Sequence, residues 1–209
     1  MIRIEHNIIG VCATNTYYAW NEETKEGFIV DPAASPERIF EAVDKWGFTP
    51  KAILITHGHF DHILALNDVR ERYGIKAYIG AAEEKVLHDS AMNLTGPFMG
   101  TPMSMDADVY LKDGENFEIA GYAFRAIETP GHTIGGMCYY IENEKILFSG
   151  DSLFEGSIGR TDFPGGSEAN LVRALKDKIL VLPEDTRVLP GHMADTTIGY
   201  EKEYNPYCQ

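Results

Sequence analysis

The stretch Ala52-Ile53-Leu54-Ile55-Thr56-His57-Gly58-His59-Phe60-Asp61-His62 sets three imidazoles and a carboxylate within six residues, directly after an apolar run. Neutral imidazole nitrogens and carboxylate oxygens are the ligands that hold zinc, iron or manganese. Of the seven histidines in the chain, three fall in this one turn. A solvated loop whose histidines merely hydrogen-bond would account for one isolated histidine, but poorly for such a cluster. The i, i+2 spacing of His57 and His59 is wrong for one helix face and suits an extended segment or loop. Asp61 and His62 open a helical-looking run, so the loop can serve two metals.

Three further places repeat this design. Ile127-Glu128-Thr129 leads into Pro130-Gly131-His132, Ile146-Leu147-Phe148-Ser149 into Gly150-Asp151, and Arg187-Val188-Leu189 into Pro190-Gly191-His192. In each a strand ends, a glycine permits a tight turn, and a metal-capable side chain follows. Alone, Asp151 reads equally well as a helix cap, and His132 or His192 as a surface residue. Together with the first loop they make five histidines and two aspartates, too many for one tetrahedral zinc. They suit two metals sharing one carboxylate. No cysteine is near these turns in sequence, which argues against a closed structural zinc site.

The rest of the chain is read around these turns. Ile2 to Asp31 is β-like, with a hairpin pattern in Cys12 to Trp20 and Gly27 to Val30. Ser35-Pro36 reads as the capped start of a helix that Gly47 stops. Lys51 to Thr56 is the strand delivering the histidine loop, and Ile63 to Tyr73 is helical. Ser90 to Asp108, rich in Met, Gly and Pro, is read as a pocket wall, a lid or loosely packed core. Strands are expected at Val109–Leu111, Asn116–Ile119, Tyr122–Glu128, Gly136–Ile141, Lys145–Phe148 and finally Thr186–Leu189. Ser167 is expected to cap a helix carrying Leu171, Val172, Leu175 and Ile179.

A chain of 209 residues, 44% hydrophobic and 24% charged, fits one globular domain spanning 1–209. No apolar run is long enough for a membrane span. The N-terminus lacks the basic and apolar regions of a signal peptide, so a cytoplasmic location is expected. Cys12, Cys138 and Cys208 are widely spaced and odd in number, and read as buried or incidental thiols. The net charge of −14 disfavours nucleic acid as a partner.

The motifs His57-Gly58-His59-Phe60-Asp61-His62, Gly131-His132, Gly150-Asp151 and Gly191-His192 resemble the metallo-β-lactamase fold superfamily across nearly the whole chain. Gly150-Asp151-Ser152-Leu153-Phe154, the run Ser157 to Gly166, and Thr196 to Glu201 with Asn205-Pro206 resemble its glyoxalase II-like branch, the hydroxyacylglutathione hydrolases. The resemblance implies an α+β fold, a four-layer αββα sandwich, with two divalent metals at one edge of the sheets, zinc foremost and iron or manganese as alternatives. It implies that His57, His59 and His132 bind the first metal, that Asp61, His62 and His192 bind the second, and that Asp151 bridges them. The implied activity is hydrolysis of a small-molecule thioester by a metal-bridging hydroxide that Asp61 orients. Full-length glyoxalase II enzymes continue into a helical domain with basic contacts to glutathione, whereas this chain stops at Gln209. Arg160 is then the candidate carboxylate contact, against a purely structural pairing with Asp162. The thiol, glutathione-derived or other, the acyl group and the oligomeric state are left open. Gly159 to Phe163 is similar also in persulfide dioxygenases, which use one iron, and these are the alternative. Pro164-Gly165-Gly166 and Thr196 to Gly199 favour the hydrolase, and they disfavour a β-lactamase or lactonase.

Overall fold

A computed structural model describes residues 1–209. The first sheet takes β1 (Ile2–Ile9), β2 (Thr14–Asn21), β3 (Glu26–Val30), β4 (Thr49–Leu54), β5 (Lys76–Gly80) and β6 (Val109–Leu111) in chain order. The first three strands are antiparallel, and from β3 onward the pairing is parallel. Parallel neighbours need crossovers. These are α1 (Pro36–Trp46) between β3 and β4, then α2 (Phe60–Ile63) and α3 (Leu66–Tyr73) between β4 and β5. Beyond β5, a 3₁₀ turn at Ala81–Glu83 leads into α4 (Glu84–His88).

The second sheet holds β7 (Asn116–Ile119), β8 (Tyr122–Glu128), β9 (Met137–Ile141) and β10 (Ile146–Gly150) as an antiparallel run. A small hairpin of β11 (Leu153–Phe154) and β12 (Ser157–Ile158) and helix α5 (Glu168–Ala174) follow. Then β13 (Arg187–Pro190) pairs parallel to β10, and β14 (Thr196–Thr197) closes the edge before α6 (Ile198–Tyr204).

Three apolar layers hold these parts together. Alternation along β3 sends Phe28 and Val30 between the sheets and Ile29 outward. Between the sheets Phe28 meets Phe124 and Phe148 edge-on, with centroids 5.1 and 5.7 Å apart. Outside the first sheet, Ile29 and Ile53 pack with Ile39 and Val43 of α1 and Leu66 and Val69 of α3. Outside the second, Tyr140, Leu147 and Val188 pack with Leu171 and Leu175. Helices therefore cover both outer faces, which is the αββα sandwich the resemblance implied. Just below the histidine loop the sheets are stitched directly. The Tyr139 hydroxyl donates to the Ile55 carbonyl at 2.7 Å, and the Met137 N–H donates to Thr56 at 2.8 Å.

Two local expectations are corrected. Ser35 does not cap α1 with its side chain, because its φ of 51° is left-handed and side-chain capping needs an extended residue. Pro36 does occupy the first helical position. Thr186–Leu189 is not the final strand, since β14 and α6 follow. Helix α6 is capped by Thr197, whose Oγ1 accepts the Tyr200 N–H at 3.2 Å. Ser167 caps α5 as expected. No helix is long and apolar enough to cross a membrane.

Candidate metal centre

Strands β8, β10 and β13 run in the same direction, and their C-terminal ends meet that of β4 at one edge of the sandwich. All seven expected ligands converge there. The turns after these strands must be tight. Gly150 has φ 49°, and a Cβ on it would run into Thr56. A Cβ on Gly191 would run into Asp151 Oδ1 and the His62 ring. Glycine is therefore the residue that lets the second sheet's loops close onto the first loop.

His57 Nε2, His59 Nδ1 and His132 Nε2 form a triangle with edges of 3.0 to 3.2 Å. Their outer nitrogens explain which way the lone pairs face. His132 Nδ1–H donates to the Arg160 carbonyl at 2.7 Å. Thr56 Oγ1 donates to Asp31 at 2.7 Å and so accepts from His57 Nδ1 at 3.2 Å. Both Nε2 atoms thus present lone pairs, and His59 Nε2 is buried with no partner. One proton serves only one edge of such a triangle, whereas a cation satisfies all three nitrogens. Tetrahedral zinc with bonds of about 2.0–2.1 Å requires nitrogens roughly 3.3 Å apart. The triangle fits that requirement.

The second group adjoins the first. His62 Nε2 lies 3.4 Å from His192 Nε2 and 3.7 Å from Asp61 Oδ2, and His192 Nε2 lies 3.3 Å from Asp61 Oδ2. Asp151 reaches both groups. Its Oδ2 is 3.5 Å from His132 Nε2 and 3.5 Å from His192 Nε2, and its Oδ1 is 3.4 Å from His62 Nε2. That Oδ1 is buried without a hydrogen-bond partner. The sets His57–His59–His132, His57–His62–Asp151 and Asp61–His62–His192 each hold their ligand atoms within 4.8 Å. A His/Asp cluster of nitrogen and oxygen donors suits a divalent cation.

The electrostatics divide the cluster in two. Burial, with His62 and His132 as neighbours, holds His57 well below the ordinary histidine value. Burial and His132 bring His59 down to about 3. Burial also lowers His132 against the pull of Asp151. In the other half, burial opposes charge on His62 and His192, but the carboxylates prevail. Asp61, Asp151 and Asp31 push His62 up to about 9, and Asp151 and Asp61 push His192 up to about 11. Burial acts to raise Asp61 and Asp151, yet His62 and His192 outweigh it. Asp61 falls to about 2, and Asp151 is held well below the usual carboxylate range. This half calls for positive charge, from protons or from metal.

Two carboxylates outside the expected set hold the ligand loops. Asp31 accepts the Thr56 N–H and hydroxyl, each at 2.7 Å, and the His62 Nδ1–H at 2.8 Å. Its own backbone has a left-handed φ of 49°, a region that aspartate enters more readily than most residues. Its signal was present in the sequence, because it follows the apolar run Gly27 to Val30 as the candidate ligands follow theirs. Glu83 is fully buried, and its oxygens accept the N–H of Gly58 at 2.7 Å and of Gly135 at 2.8 Å. Burial raises its carboxyl, against the hydrogen bonds that favour the ion. Nothing in Ala81-Ala82-Glu83-Glu84 marks that role.

A cavity of about 450 Å³ opens over the cluster. Arg160 lines it, stacked 4.0 Å over the Phe163 ring and paired to Asp162 by two 2.7 Å bonds. Cys12 also reaches the site. It is exposed, lines the same cavity, and has its thiol raised by partial burial and by Asp61. Loop closure between β1 and β2 brings it there. Cys138 is buried and Cys208 half-buried. Within Ser90 to Asp108, Leu94 and Phe98 form cavity wall while Met105 is core. Asn93 anchors the segment by donating to Leu87 O at 3.1 Å and Met103 O at 2.9 Å. His6 and His88 lie apart, against Tyr17 and Asp106 respectively.

Residues 9–192 match the family model of the metallo-beta-lactamase superfamily. The chain is 36% identical over 200 residues to the probable metallo-hydrolase YqgX of Bacillus subtilis, covering 95% of this chain and 94% of that one. It is 34% identical over 199 residues to the hydroxyacylglutathione hydrolase GloC of Haemophilus influenzae, covering 92% of each. Among solved structures, the BLEG-1 B3 metallo-beta-lactamase superposes with a TM-score of 0.94 at 39% identity, over 99% of this chain and 100% of that one. TTHA1623 in a di-iron-bound form gives 0.84 at 31%, over 97% and 99%. ETHE1 from Myxococcus xanthus gives 0.81 at 27%, over 98% and 83%.

Proposed function

As the chain belongs to the metallo-β-lactamase superfamily, we propose that it is a thioester hydrolase of the hydroxyacylglutathione hydrolase type that works with two divalent metals. In this reading His57, His59 and His132 would hold one metal, Asp61, His62 and His192 the other, and Asp151 would serve both. The observation that carries it is the placement of Asp151, with one oxygen 3.5 Å from a histidine of each group. The likeness to GloC supports the substrate class.

When bound, the metals supply a hydroxide nucleophile at neutral pH and polarise the acyl carbonyl. Zinc is the first expectation, iron or manganese the alternatives. Asp61 orients the nucleophile by accepting its hydrogen bond, and Thr14 Oγ1 fixes that carboxylate by donating to Oδ2 at 3.1 Å. A carbon–oxygen bond forms, the carbon–sulfur bond breaks, and water is divided between the carboxylic acid and the thiol. No serine or cysteine nucleophile is needed.

A one-iron persulfide dioxygenase is the second reading, with which the likeness to ETHE1 is compatible. The likeness to BLEG-1 adds a β-lactam to the panel of substrates worth assaying. Metal content of protein purified without chelator separates the first two. About two metals per chain together with thioester cleavage is the expected result. One iron per chain, with oxygen uptake on a persulfide and no thioester cleavage, would replace the hydrolase.

A further inference from the structure

The cavity walls differ sharply from the ligand cluster at their base. Phe60, Leu94, Phe98, Phe154, Ile158 and Phe163 line them, and three of these rings continue from a ligand of the cluster. The His59 ring meets Phe163 edge-on at 5.6 Å, Phe163 meets Phe98 edge-on at 5.8 Å, and Phe98 stacks on Phe60 at 5.8 Å. Phe98 is 60% exposed and is carried on a π-turn, Thr95–Met99, between Leu94 and Gly100, both left-handed. Leu94 is β-carbon-bearing and strained there, which marks a segment shaped to present its side chains.

Outside the candidate metal cluster, the cavity walls carry a single charged group. Arg160 is the one lysine or arginine among the lining residues. Its Nε and Nη2 already face the two oxygens of Asp162. The remaining ionisable lining groups besides Cys12 are Asp61, Asp151 and three histidines of the metal cluster. A glutathione thioester brings two free carboxylates, and this cavity offers no uncommitted cation on its walls to receive either. The chain's net charge of −14 works against anions at longer range.

We infer that this cavity selects thioesters whose group beside the scissile bond is uncharged and apolar, an aryl group foremost, over thioesters of carboxylate-bearing peptides such as glutathione. This rests on the thioester reading for the reaction, but not for the selection, and departs from the hydroxyacylglutathione type in the thiol it admits. A pocket lined by rings gains by covering them, and roughly half a phenyl ring newly buried contributes about 1 kcal/mol, or about fivefold in affinity.

The test uses thioethers, which bind without reacting, and calorimetry on zinc-loaded protein. S-benzyl-N-acetylcysteamine should bind about tenfold tighter than S-benzylglutathione, and tighter than S-methyl-N-acetylcysteamine by a similar factor. Phe98→Ala should weaken the neutral benzyl ligand about fivefold. Equal or tighter binding of S-benzylglutathione, or a methyl ligand as good as the benzyl one, would overturn the inference. Kinetics with the matching thioesters keep the two ideas apart. Selective binding without turnover of any thioester would uphold the apolar selection while removing the hydrolase.

Discussion

Replacing Glu83 with glutamine tests whether the ligand loops are tethered from below. The Glu83 carboxylate holds Gly58, between His57 and His59, with one oxygen and Gly135, three residues beyond His132, with the other. Glutamine keeps one acceptor and turns an amide N–H toward a backbone N–H, so one of the two bonds is lost and a buried donor is stranded. A hydrogen bond to a charged group contributes about 1.5–3 kcal/mol, and removal of the buried charge offsets part of the loss. A net destabilisation of about 2 kcal/mol is expected, or a Tm lower by roughly 4–8 °C for a domain of this size. The sharper consequence concerns metal. All three nitrogens of the first triangle lie on these two loops, and outlying hydrogen bonds of this kind change metal affinity about 10–100-fold. Competition against a chromophoric chelator should show one zinc-binding step weakened by that factor, with the other changed much less. A lowered Tm with both steps unaltered would refute the tether and leave Glu83 a role in the fold alone.

Asp151→Ala should lower metal content below two per chain and abolish turnover, and retained full activity would refute the two-metal assignment. Arg160→Ala should change KM for anionic and neutral thioesters alike, because its guanidinium is already paired with Asp162; a larger rise for anionic thioesters would make Arg160 the carboxylate contact that the resemblance suggested and would count against the apolar selection. In protein stripped of metal, pH should act in opposite directions on the two halves of the cluster. His57, His59 and His132 lie below the ordinary 6.5, so the unfolded chain binds more protons there and stability rises with pH between about 3 and 6.5. His62 and His192 lie above 6.5, so the folded chain binds more protons and stability falls from 6.5 toward 9 and beyond. Each proton difference contributes about 1.4 kcal/mol per pH unit. Urea midpoints at pH 5, 6.5 and 9 should peak at 6.5, and zinc should flatten the alkaline fall; a continued rise to pH 9 in stripped protein would show the assignment to be wrong.

What could be seen in the sequence was local. His57, His59, Asp61 and His62 were visible because four ligand-type residues crowd one turn, and His132, Asp151 and His192 because each follows an apolar run and a glycine. Asp31 and Glu83 act on backbone or rings 25 to 52 residues away. Only folding makes such partners adjacent. The aromatic wall is legible only in part, through Ser90 to Asp108 as a pocket wall, because Phe60 of α2, Phe98 and Phe163 come from separate parts of the chain. The place of Cys12 at the cavity depends on where the β1–β2 turn lands, which its sequence neighbours do not show. Ser35 failed as a cap because residue type predicts a hydrogen bond only when the backbone is extended, and at Ser35 it is left-handed.

The stitch between the sheets, Tyr139 to Ile55 and Met137 to Thr56, gives the centre a place in the order of assembly. His57, His59, Asp61 and His62 come from one sheet and His132, Asp151 and His192 from the other, so neither half completes a set. High-affinity metal uptake must then wait until Phe28 has docked against Phe124 and Phe148. In a refolding time course with added zinc, the appearance of tight binding should mark the moment at which the two sheets join.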